Sequence, residues 1–161
     1  MPEIIMKSDI LAPAHVKTLK FSCSHPSKLM KTIPSLMKET FKITSTNFFE
    51  DRLKWDRSAD PVEFYGEWRG KDTKDKRTTL WISVKLQGKQ SSGEKKGEIT
   101  IWLSGSLITE IPYSMILDKT LYKMYAYYFY SNHRREYSSE ARDLFSKLEE
   151  EIKKELEIRG E

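Results

Sequence analysis

The chain has one cysteine, Cys23, in 161 residues. A single thiol excludes an internal disulfide framework and fits a reducing compartment. Histidine is nearly as scarce. His15, His25 and His133 lie far apart in sequence, and none has a partner at metal-ligand spacing. No metal and no cofactor are therefore expected. Long apolar runs are absent too. The opening MPEIIMKSDILAPAHVK carries Glu3 and Asp9 and reads as neither a signal peptide nor a membrane span. A cytoplasmic location is expected. The glycine-containing stretch 88–97, GKQSSGEKKG, lacks phosphate-loop spacing and the Lys-Ser/Thr ending, so it reads as a surface hairpin.

Aromatic residues are plentiful, with 4 Trp, 8 Tyr and 7 Phe. They supply burial capacity that 32% charged residues would otherwise deny the chain. The length suits one domain, residues 1–161, large enough to bury a core without staples. The net charge of +4 is uneven. Residues 138–161 hold eight acidic and five basic groups, so they carry −3 and the rest carries +7. A surplus of that size is an ordinary solvated surface more often than a nucleic-acid footprint. Nucleic acid is therefore a minor candidate partner.

Alternation identifies the strands. Residues 1–14 read as an arm, partly strand-forming. Residues 16–22 read as a first strand. Ser24 is a candidate cap for a helix with Pro26 in its first turn. Pro34 cannot comfortably continue that helix, so two short helices are expected. Residues 42–57 read as two strands with a turn at Glu50 and Asp51. In VEFYGEWRG, Val62, Phe64, Gly66 and Trp68 share one face. Leu80, Ile82, Val84 and Leu86 repeat the pattern, as do Ile99, Ile101, Leu103 and Leu107. Polar turns between these runs are too short for parallel crossovers, which points to an antiparallel meander ending at Pro112. Residues 114–132 read as an aromatic helix, followed by a break or a continuation. Residues 138–158 read as an amphipathic helix. It would be capped by Ser138, striped by Ala141, Leu144, Phe145, Leu148, Ile152 and Leu156, and ended by Gly160. The fold class is α+β: a curved antiparallel sheet, two short N-terminal helices and a C-terminal amphipathic helix.

This order of elements resembles the helix-grip fold of the START-like superfamily, which includes Bet v 1-type proteins and polyketide cyclases. VKTLKFS would be the first strand, the helices around Pro34 would follow, and the helix 138–158 would lie in the grip of the sheet. The resemblance implies an apolar cavity between sheet and last helix, holding a lipid, sterol or polyketide. Some members are cyclases or hydrolases. No family motif is present, so no functional residue carries over. The aromatic helix at 114–132 departs from the pattern.

No catalytic constellation stands out. Glu63 and Glu67 share a strand face about 13 Å apart, too far for a glycosidase pair. Glu67 is better placed to ion-pair with a lysine of the next strand. Cys23, just before a helix, reads as an inert thiol. Tyr65, Trp81 and Trp102 alternate away from the packed face, and Tyr125 and Tyr128 lie on the aromatic helix. These five are the candidate ligand-binding residues. The leading expectation is a non-enzymatic carrier for an apolar small molecule. The alternatives are an interaction or homo-oligomerisation domain using the aromatic helix, and a basic nucleic-acid binder.

Overall fold

The computed structural model describes residues 3–12, 15–112 and 119–159. Six strands form one open antiparallel sheet: β1 (Glu3–Asp9), β2 (Lys17–Ser24), β3 (Phe48–Asp56), β4 (Val62–Thr73), β5 (Thr78–Gln90) and β6 (Lys96–Pro112). Two helices flank it, α1 (Leu29–Phe41) and α2 (Lys119–Arg159). The α+β class and the antiparallel sheet are as the sequence suggests. The sheet runs β1-β6-β5-β4-β3, with β2 also paired to β6. β1 pairs with residues 106–112 of β6 and β2 with residues 96–103. The two short strands thus lie end to end along one edge of a single long strand.

One face of the sheet carries the core. Phe64, Trp68, Leu80, Ile82, Val84, Leu86, Ile99, Ile101, Leu103 and Leu107 are buried there against both helices. Phe41 of α1 meets Phe145 of α2 edge to face at 5.1 Å between ring centroids. Glycines on this face make room for the rings. A Cβ on Gly105 would stand 2.6 Å from Phe145, and one on Gly66 would stand 2.4 Å from the Trp68 ring.

Four local expectations are corrected. Pro34 lies inside one continuous helix instead of separating two. An internal proline costs about 3 kcal/mol. Burying Leu29, Met30, Ile33, Leu36, Met37 and Phe41 on one face outweighs that cost. A short 3-10 turn, Pro26–Lys28, precedes it, with left-handed His25 and not Ser24 at the start. Residues 48–56 form one strand, because Asp51 is absorbed as a bulge between Glu50 and Arg52. Ser138 is no cap. It lies within α2, which runs unbroken for 41 residues, about 60 Å. Residues 114–118 of the expected aromatic helix, and Gly160, lie outside the described residues.

The tight seat of Phe145 makes a direct prediction. Gly105→Val should lose roughly 1–3 kcal/mol of stability, seen as a lower thermal midpoint. An unchanged midpoint would contradict this packing.

Candidate functional site

The second half of α2 is the packed half. Ala141, Phe145, Leu148, Ile152 and Leu156 are buried at three- and four-residue steps. Lys17 of β2 bonds Glu149, which also pairs with Lys153. Farther up the helix, Tyr137 donates to Asp75 in the β4–β5 turn at 3.0 Å. Asp75 also accepts the backbone N–H groups of Arg77 and Thr78, each at 2.8 Å. Burial alone would raise the pKa of Asp75, but these donors outweigh it and hold the carboxyl below its ordinary value. Tyr137 is pushed up, first by burial and then by Asp75.

Arg134 marks the upper limit of the packed half. It is buried, at 8% exposure, between α2, β1 and β6. It donates to the Thr109 hydroxyl, to Ser8 Oγ at 2.7 Å and to the Leu107 carbonyl at 3.2 Å. Thr109 in turn shares a 2.9 Å hydrogen bond with Thr78, and both threonines are fully buried. All three acceptors of Arg134 are neutral, and burial pushes its pKa down. Neither Arg134 nor Tyr137 was among the five candidate ligand-binding residues, although both fall in the aromatic and arginine-containing run 122–137. The available signal was spacing, since Arg134 stands seven residues before Ala141 on the apolar stripe.

Above Arg134 the helix is apolar and exposed. Leu121 is 60% accessible, Met124 66%, Tyr127 70% and Tyr128 83%. Tyr127, Arg134, Ala141 and Leu148 follow one another at seven-residue steps, which keep to one side of a helix with a slow drift. Tyr127 thus continues the buried seam past the point where the sheet covers it. Leu121, Met124 and Tyr128 form an adjacent stripe at i, i+3 and i+7. Phe129, 59% accessible, lies around the other side. Between 119 and 133 only Lys119 and Lys123 are charged.

The five sequence candidates do not converge. Tyr65, Trp81 and Trp102 are half-buried on the sheet face turned away from the helices. Tyr65 donates to Glu67 at 2.5 Å, and its pKa is pushed up to about 12 by burial and then by Glu67. Trp81 lies 6.2 Å from Phe49 between centroids, with Arg69 and Lys71 over its ring at 5.6 and 5.8 Å. Trp102 stands opposite Thr18 and Lys85. Tyr128 is on α2, and the side chain of Tyr125 lies outside the described residues. Glu67 pairs with Lys85 of the next strand at 3.7 Å, as its position suggests, and Glu63 pairs with Lys89 at 3.6 Å. Among the described residues no group of three or more His, Cys, Asp or Glu side chains could hold a metal, and no helix is long and apolar enough to cross a membrane.

No family model and no curated protein matches the chain. Among solved structures, a protein of unknown function from Staphylococcus aureus is similar at 6% identity. The match covers 86% of this chain and 96% of that one, with a TM-score of 0.29. An uncharacterised protein from Rhizobium leguminosarum matches at 7% identity over 93% and 99%, with a TM-score of 0.22. Similarity at this level carries no functional information. The architecture is helix-grip-like in the general sense of a curved, open sheet packed against flanking helices. That shape is compatible with small-molecule and lipid-binding domains as a class.

Asp75 gives a pH test of how α2 is held. A carboxyl with a lowered native pKa stabilises the fold above its unfolded value, and the gain is lost as pH falls through the native value. Denaturant melts should show stability falling below about pH 4. Asp75→Asn should show a smaller fall over that window. Superimposable pH profiles would contradict the role given to Asp75.

Proposed function

We propose that this domain acts by self-association, pairing the first half of α2 with the same segment of a second copy. The observation that carries the proposal is the exposure of Leu121, Met124, Tyr127 and Tyr128 on a helix whose seam continues the core. A helix apolar around much of its circumference is a buried helix, yet these four large side chains stay mostly exposed.

The area suits a second copy. Four large side chains of roughly 100–150 Å² each supply on the order of 400–600 Å² per copy. Two copies would bury about 800–1,200 Å², a range that reaches the lower bound for a specific dimer. Tyrosine fits this use because it buries a rigid ring while its hydroxyl stays solvated. Two such helices side by side, 8–10 Å apart, would form a twofold contact in which each stripe meets its own image.

The carrier reading has less behind it. Trp68, Phe64, Phe41 and Phe145 occupy the space between sheet and helices where a ligand would go. Tyr65, Trp81 and Trp102 lie on the opposite face.

Light scattering over a concentration series tests the proposal. The expected result is a mass rising toward twice 19.0 kDa. Met124→Asp combined with Tyr128→Asp should give a monomer with an unchanged circular-dichroism spectrum, because both side chains are exposed. A native chain that stays monomeric up to high micromolar concentration would overturn it.

A further inference from the structure

A cleft of about 500 Å³, open to solvent, lies between β1 and the middle of α2 and shares Tyr127 with the edge of the self-association surface. Arg134, Arg135 and Arg142 line it, with Ser8, Ser131 and Ser138 among them. The arrangement follows from helix geometry. Ser131 and Ser138, and likewise Arg135 and Arg142, are seven residues apart. Each pair therefore shares one side of α2 across two turns, about 10 Å.

The charges do not balance. Three guanidinium groups face one carboxylate, Asp9, and that carboxylate is already bound to His15 at 2.5 Å. The cleft is left with a surplus of two positive charges. The donors are also underused. Arg134 spends three of its five N–H groups on neutral acceptors. Arg142 uses its Nε on the Ile10 carbonyl at 2.8 Å, leaving its two terminal nitrogens without a described protein partner. Arg135 has no hydrogen bond or ion pair with the described residues. Three guanidinium groups beside a single carboxylate repel one another, and burial already depresses the pKa of Arg134.

We propose that this cleft binds a phosphate monoester group, the fixed ends of Arg134 and Arg142 and the free Arg135 closing around its oxygens. A dianion matches the surplus of two charges. Forked guanidinium donors and serine hydroxyls match its tetrahedral oxygens better than they match a single carboxylate. Arg134 and the Arg142 Nε contact hold two of the arginines in place before any ligand arrives, which limits the ordering cost of binding.

The test is a titration at low salt, read by amide chemical shifts, with three probes: inorganic phosphate, phenyl phosphate and vesicles of phosphatidic acid in phosphatidylcholine. Saturable shifts confined to Ser8, Ser131 and residues 134–142 are expected. Arg135→Gln should weaken binding at least about tenfold, since a hydrogen bond to a charged group is worth that much. Arg52→Gln, an exposed arginine on the far face of the sheet, should bind like the native chain. A response to the soluble phosphates assigns a soluble ligand. A response only to vesicles, lost in Arg135→Gln, assigns the same group on a lipid headgroup. No saturable binding by any probe would overturn the proposal, as would equal binding by Arg135→Gln and the native chain. An equal loss in Arg52→Gln would also overturn it, because the attraction would then be diffuse. Repeating the titration in the Met124→Asp, Tyr128→Asp variant separates this site from self-association, because phosphate binding should persist there.

Discussion

The apolar seam of α2 is longer than the sheet that covers it. From Arg134 onward, Ala141, Phe145, Leu148, Ile152 and Leu156 are held against the core. Before Arg134 the helix continues with Tyr127, Met124 and Leu121 in water. An unbroken helix links the two parts, so the exposed half inherits its direction from the packed half. The self-association proposal rests on this mismatch. Hydrophobic burial orders one half of the helix, and its stiffness presents the other.

The polar layer under Arg134 sits at the boundary. Thr78 and Thr109 face inward at the end of β5 and along β6, where the core strands otherwise hold Leu, Ile and Val. Their shared hydrogen bond satisfies both hydroxyls, and Arg134 adds a third member. Tyr137 and Asp75 anchor the helix one turn later on the other side, through the β4–β5 turn. The apolar core and two polar clamps thus fix where the packed half stops. The same clamps set Arg134 beside Arg135 and Arg142 in the cleft at β1.

Much of the sheet was legible because period-two alternation has few alternative explanations. β4, β5 and β6 follow their apolar positions almost residue for residue, and Trp68 lies on the core face that alternation assigns to it. What was not legible depended on long-range competition. Pro34 breaks a helix by local rules, yet the shared burial of Ile33 and Met37 keeps α1 whole. Asp51 looks like a turn residue, but pairing with β4 absorbs it as a bulge. Ser138 has the chemistry of a cap, but continuity with the preceding turns leaves no helix end to cap. The functional surfaces were the least legible. Tyr65, Trp81 and Trp102 share a chemical type, yet facing on the sheet separates them from α2. Arg134 was hidden because a charged residue on an apolar stripe shows its partners only when β1 and β6 are in place.

Hydrogen exchange along α2, measured at low and high protein concentration, tests the central claim most directly. Residues 134–156 should be protected equally at both concentrations, because their cover is the chain's own sheet. Residues 119–133 should exchange fast in dilute solution and slow markedly as concentration rises, because a second copy supplies their cover. Protection of residues 119–133 that does not change with concentration would contradict the account.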